Sequence, residues 1–245
     1  MKMAGILLIY ILGIYFLLTK MVQLEDEAVV GGKKTHKGLS ETTHSSNEKA
    51  IQYVASNMIK EAPKIAITFD DGPSPAWTPK LLDGLKERNV KATFFLIGEN
   101  AENTPELVKR ESEEGHLVGN HTYHHVEITR VPDETAKEEI LMTNEVITGI
   151  TGEEVSYMRP PFGAWQKKME WELDVMPVMW TIDPLDWTTN NEDEIVNKVV
   201  TQAKENDIIL LHDCYESSVN AALRIVDILQ KEGFEFVTVD ELIKN

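Results

Sequence analysis

Two adjacent carboxylates, Asp70 and Asp71, close the stretch from Lys64 to Gly72-Pro73. Ile65, Ala66, Ile67 and Phe69 make that stretch strand-like, and the Gly-Pro pair stops it. Successive side chains of an extended chain point opposite ways, so neighbours at its end can do different work. One can bind a metal while the other faces a substrate. His121 and His125 are four residues apart, which on one helical turn would set both imidazoles on the same side. Two neutral imidazoles and a carboxylate suit zinc and leave a fourth position for water, and Asp71 is the available carboxylate. Zinc held in this way polarises a carbonyl and lowers the pKa of a water, but hydrolysis still needs a proton acceptor and a proton donor. Asp70 is placed to be the base and His212 the acid, with Arg159 holding Asp70 ionised through a charge-assisted pair. His124 lies between the ligands in sequence and is expected to point elsewhere.

Each of these residues alone has a plainer reading. A His-x-x-x-His pair is as readily a surface pair, Arg159 a salt bridge and His212 a core histidine. Their common placement decides the matter. Strand-like runs appear at Ile65–Phe69, Ala92–Ile97, Leu117–Gly119, Val155–Met158, Val175–Trp180, Ile208–Leu211 and Phe234–Val239. Amphipathic helical stretches alternate with them: Thr78–Arg88, Pro105–Glu114, Glu134–Ile147, Glu192–Lys204 and Val219–Lys231, with Ala164–Glu172 a shorter candidate. Such alternation predicts α/β architecture, a parallel sheet with helices outside it. About seven units, with no Gly-x-Gly-x-x-Gly after the first strand, favour a distorted, TIM-like (β/α) barrel over a dinucleotide-binding open sheet. Chemistry in such barrels sits at the C-terminal strand ends. Four of the five histidines beyond residue 60 follow strand exits, as do Asp70, Asp71, Arg159, Asp183 and Asp186.

Composition narrows the function further. The first 60 residues hold seven lysines against five acidic residues, so the acidity behind the formal charge of −17 lies in residues 61–245. A domain that acidic is a poor partner for nucleic acid. The single cysteine, Cys214, excludes a disulfide framework and a Cys-type zinc site. Its place two residues past His212 opens a Cys–His hydrolase reading, yet no orienting third group is evident, and a packed small residue is preferred. Trp77, Trp165 and Trp187 stand near the rim in sequence, suited either to stacking on sugar rings or to the core. Residues 1–22 are expected to form a membrane anchor, since Met3 to Thr19 carries no charge; an uncleaved signal anchor is preferred to a cleaved signal. Residues 23–60 have tether composition, with a possible short helix around Ile51, Val54, Met58 and Ile59, and residues 61–245 form the catalytic domain. Nothing in the sequence sets the oligomeric state.

Five short motifs in residues 64–240 resemble, in order, those of the polysaccharide deacetylases of the NodB-homology type, carbohydrate esterase family 4. They are Thr68-Phe69-Asp70-Asp71-Gly72-Pro73, His121-Thr122-Tyr123-His124-His125, Arg159-Pro160-Pro161-Phe162-Gly163, Asp183-Pro184-Leu185-Asp186-Trp187 and Leu210-Leu211-His212. The resemblance implies Asp70 as base, Asp71, His121 and His125 as metal ligands, and Arg159 as the residue positioning the base. It also implies Asp186 tuning His212, the acid, while Pro161, Phe162, Trp187 and Leu210 bind substrate. The family usually has Tyr where Phe162 stands; the backbone N–H that helps bind the oxyanion is unaffected by that change. The implied activity is removal of N-acetyl groups from N-acetylglucosamine in a cell-wall polymer, peptidoglycan or chitin-like, with zinc, or cobalt or manganese, as the metal. An O-acetyl esterase of the xylan type and a non-catalytic glycan-binding module are the alternatives. The anchor favours a wall substrate and a single-pass membrane protein with its catalytic domain on the extracellular side.

Overall fold

The computed structural model describes residues 61–165 and 173–244. No helix among them is long and apolar enough to cross a membrane. The expected anchor and tether, and residues 166–172 of the short helical candidate, lie outside the described residues; Ala164 and Trp165 are not helical.

Among the described residues, seven strands form one sheet in which every pairing is parallel. The central strand β1 (Lys64–Gly72) is flanked by β2 (Thr93–Leu96) and β6 (Ile208–His212). Beyond β2 come β3 (Leu117–Asn120), β4 (Tyr157–Met158) and β5 (Met176–Pro177), while β7 (Glu235–Phe236) pairs with Lys64 and Ile65 at the start of β1. Both faces of β1 are covered, which is why it reads as a continuous apolar run rather than an alternating one. Ile65, Ile67 and Phe69 pack in the larger core cluster, with Phe69 stacked on Phe94 at 5.3 Å. Ala66, Thr68 and Asp70 alternate to the concave side, which Phe95 and Val178 also line. After β5 the chain crosses to the opposite edge: Thr181 N–H donates to the Ile208 carbonyl and Leu210 N–H to that of Ile182, each at 2.9 Å. The sheet is therefore a curled, parallel half-barrel.

The expected strands at Val155–Met158, Val175–Trp180 and Phe234–Val239 contract to two residues each. One cause is visible beside β4 and β5. The carbonyls of Val178 and Met179 accept from the Arg159 guanidinium, at 3.2 and 3.3 Å, instead of from a neighbouring strand.

The helices are α1 (Thr78–Glu87), α2 (Gly98–Asn103), α3 (Pro105–Glu113), α4 (Asp133–Thr151), α5 (Glu192–Val200), α6 (Glu216–Lys231) and α7 (Val239–Ile243). Their apolar stripes cover the sheet; α6 buries Val219, Ala222, Ile225, Val226 and Leu229 at helical spacing. The short α2 has no counterpart among the helical stretches expected from the sequence. Its first two N–H groups, of Gly98 and Glu99, donate to the carbonyls of Thr122 and Tyr123 at 2.9 and 3.0 Å, so a tertiary contact holds it in place.

Glu111 of α3 is fully buried, and neither carboxylate oxygen has a hydrogen-bond partner among the described residues. Burial, with the charge of Asp213 added, holds its carboxyl well above the usual range. A folded-state pKa above the unfolded one means that the folded protein binds the proton more tightly. That contribution is present in acid and is lost as pH rises beyond the ordinary carboxylate range. Glu111→Gln removes it, so urea unfolding at about pH 5 and about pH 8 should show a smaller alkaline loss of stability in the variant than in the natural protein. Equal losses would place the titrating group elsewhere.

Candidate active site

The register of the sheet brings the candidate residues to one rim. Asp70 lies opposite His212 across the β1–β6 pair, and Asn120 opposite Met158 across β3–β4, so His121 and Arg159 leave adjacent strand ends. Asp71 is the extra residue of a β-bulge, for β1 pairs Asp70 with Phe95 and then Gly72 with Leu96. Its φ is 69°. Simple alternation would send the two aspartates to opposite faces. The bulge instead turns both to the same rim, with His121 Nε2 3.3 Å from Asp71 Oδ1 and 3.8 Å from Asp70 Oδ2.

His121 and His125 do not share a helical turn. Thr122 and His125 take left-handed φ values of 62° and 56°, and the loop they shape brings the two imidazole centroids to 5.0 Å. Asp71, His121 and His125 offer ligand atoms within 4.8 Å of one another, and His125 Nε2 is 3.3 Å from Asp71 Oδ1. Three observations fit this triad to a divalent cation. Asp71 Oδ1 is buried without a hydrogen-bond partner among the described residues. His121 Nδ1 lies 2.6 Å from the Arg159 carbonyl, a contact that calls for a proton on Nδ1 and leaves the Nε2 lone pair facing Asp71. Burial lowers the His125 pKa against the opposing charge of Asp71, favouring the neutral ligand form. Burial works against ionisation of Asp71, but the neighbouring imidazoles of His121, His212 and His125 outweigh it and hold the carboxyl below its ordinary value.

Arg159 is completely buried. Its guanidinium donates to Asp70 Oδ1 at 2.8 Å and to the Thr68 hydroxyl at 2.6 Å, and lies 4.4 Å from the Phe95 ring centroid. Across the rim, Asp186 engages His212 twice, accepting from its backbone N–H at 2.9 Å and meeting ring Nδ1 at 2.8 Å. Burial draws the His212 pKa down, yet the Asp186 hydrogen bond and charge, with Asp70 and Asp71, raise it to about 9. His212 Nε2 faces the triad, 4.0 Å from Asp71 Oδ2.

Phe162 and Trp187 are exposed beside these groups, the Phe162 ring meeting His125 edge-on at 4.9 Å, while Pro161 and Leu210 are buried. Asp183 is a loop residue, accepting from Leu185 N–H. Trp165 packs against the smaller core cluster of Ile128, Ile140 and Met158. The Cys–His hydrolase reading fails because burial, with Asp71 and Asp213, pushes the Cys214 thiol up to about 12, far from a thiolate. His124 does point away: its Nδ1 meets Glu139 Oε1 at 2.8 Å. Glu139 of α4 went unnoticed in the sequence. Its signal is a carboxylate on the buried stripe of Ala136, Ile140, Thr143 and Ile147.

Residues 57–178 match the family described as polysaccharide deacetylase. The chain is 38% identical over 216 residues to the peptidoglycan-N-acetylglucosamine deacetylase PgdA of Listeria monocytogenes, covering 86% of this chain and 46% of that protein. It therefore spans less than half the length of that relative. A peptidoglycan-N-acetylglucosamine deacetylase of Bacillus cereus is 40% identical over 188 residues, 74% of this chain and 88% of that one. The solved structure of the peptidoglycan deacetylase PdaC from Bacillus subtilis superposes with a TM-score of 0.73 at 37% identity, covering 75% of this chain and 91% of that chain. The chain belongs to the polysaccharide deacetylase family.

The Asp186–His212 pair yields a prediction for the metal-free protein. Asp186→Asn removes the largest of the influences that offset burial, so the His212 ring should titrate well below that of the natural protein when followed by NMR. An unshifted titration would assign the elevation to Asp70 and Asp71 instead.

Proposed function

We propose that this chain is a metal-dependent hydrolase that removes N-acetyl groups from N-acetylglucosamine residues of a cell-wall polysaccharide, foremost peptidoglycan. The observation that carries the reading is the Asp71–His121–His125 triad, set between a carboxylate paired with arginine and an imidazole paired with aspartate. A divalent cation on the triad, zinc first with cobalt or manganese as alternatives, would supply a Lewis acid for the acetyl carbonyl and a more acidic water.

The chain's own residues then divide the proton work. Asp70, held by Arg159 and Thr68, accepts the proton of the attacking water. The Phe162 backbone N–H, on the turn beside His125, is the donor we assign to the charge that develops on the acetyl oxygen. His212, favoured in its protonated form by Asp186, gives a proton to the departing amine. One water is consumed, the C–N bond breaks, and acetate and a free amino sugar result. Trp187 and Phe162 offer exposed rings beside the site for the sugar chain, and the buried Leu210 is assigned to the acetyl methyl. The uncharged run from Met3 to Thr19 supports a single-pass anchor that keeps the catalytic domain against the wall on the extracellular side. The names of the relatives support peptidoglycan as the polymer.

The test is acetate release by the full chain from N-acetylated peptidoglycan, chitooligosaccharides and acetylxylan, with added zinc and with a chelator. Chelator-sensitive release from the amide-linked polymers is expected, whereas release from acetylxylan alone would make the protein an O-acetyl esterase. Asp70→Asn should keep the metal and lose activity by roughly 100-fold or more. Asp71→Ala and His125→Ala should lose the metal itself, and unchanged metal content in both would remove the triad.

A further inference from the structure

We infer that Glu139 is a positioning residue for the metal ligands, acting through the backbone of the loop that carries them. The inference rests on the triad holding a divalent cation. Glu139 Oε2 accepts two consecutive N–H groups, of Tyr123 at 3.0 Å and His124 at 2.8 Å, while Oε1 meets the His124 ring. All three contacts fall between the two histidine ligands in sequence. Glu139 is 7% exposed, and the buried stripe of α4 around it is otherwise uncharged. Burying a charge is costly, and packing α4 on the sheet calls for none. The charge-assisted bonds to this one loop offset that cost.

The hydrogen bonds of the loop's backbone show why an acceptor is needed there. His121 N–H donates to the Leu96 carbonyl, Thr122 N–H to Asn120 Oδ1 and Val126 N–H to the Thr122 hydroxyl. From the other side, the first N–H groups of α2 bind the carbonyls of Thr122 and Tyr123. The two N–H groups at the centre of the loop go to Glu139. They lie between Thr122 and His125, both held at positive φ, where an unsupported loop would relax and swing the His125 ring away from Asp71. Loss of the clamp thus acts on ligand geometry, and outer partners of metal ligands commonly govern affinity by 10- to 100-fold.

The experiment measures zinc affinity by competition with a chromophoric chelator, and the melting temperature of the metal-free form, for the full chain and three variants. Glu139→Ala should bind zinc roughly 10- to 100-fold more weakly while the metal-free protein still unfolds cooperatively. Glu139→Asp keeps the charge but shortens the reach, and should be nearly as weak. Glu139→Gln keeps an oxygen within reach of both N–H groups and should recover most of the affinity. A purely structural role would lower the melting temperature and leave affinity alone, so affinities within about twofold across the series would overturn the inference. Should Glu139→Ala fail to fold, the Asp and Gln variants decide: weaker binding by Asp than by Gln supports the clamp, and equal binding overturns it. No zinc uptake by the natural protein would overturn the triad, whereas uptake with unchanged variants overturns the clamp alone.

Discussion

The site depends on a charge pair that would be expensive to bury without its surroundings. Arg159 has no exposed surface, and Asp70 almost none. Removing either partner from such a pair leaves an uncompensated charge and typically costs about 3–5 kcal/mol. The surroundings make the pair tenable: the guanidinium also reaches Thr68 and the carbonyls of Val178 and Met179, and stacks near Phe95. The same residue has a second task through its backbone. Its N–H donates to the Asn120 carbonyl at 2.8 Å, and its own carbonyl meets Nδ1 of His121. One residue at the end of β4 thereby fixes the carboxylate assigned as base, the orientation of a proposed metal ligand, and the path of the chain after β5.

Around that pair the backbone is held in conformations that L-residues avoid. Of seven non-glycine residues with positive φ among the described residues, five belong to the rim: Asp71, Thr122, His125, Phe162 and Leu185. Each costs on the order of 1–3 kcal/mol and persists only where the neighbouring structure over-determines it. The over-determination can be named at each of three places. The bulge opposite β2 holds Asp71, the bonds from α2 and Glu139 hold the histidine loop, and the Asp183 carboxylate caps the turn at Leu185. Strain concentrated in this way supports a functional rim over one that merely collects polar residues.

That distribution also explains what the sequence could disclose. The apolar run of β1, the helical stripes and the polar residues at strand exits are local patterns, and each survives inspection without a structure. So does the identity of Asp70, Asp71, His121, His125, Arg159 and His212 as rim residues. The geometry among them was not legible. Alternation along β1 predicts divergent aspartates and the His-x-x-x-His spacing predicts a helical turn, but a bulge and two left-handed residues replace both. Asp71 and His125 are of types that tolerate a positive φ, but neither they nor Thr122 is glycine, so the residue types do not announce one. Glu139 and the Arg159 carbonyl act across 15 to 38 positions of sequence, beyond any local pattern.

The two residues assigned to carry protons are set up with opposite partners. Asp70 meets a cation and His212 an anion, at paired positions on neighbouring strands. The second arrangement has a further requirement. Burial depresses the His212 pKa, and the charges that raise it come from Asp186, Asp70 and Asp71. A cation on the triad would offset the field of Asp71 and part of that of Asp70. Asp186 lies on the far side of the imidazole, bonded to both the ring and the backbone N–H of His212, and keeps its hold whatever the triad contains. The residue assigned as acid therefore needs a dedicated carboxylate outside the proposed ligand set, which the turn after β5 supplies.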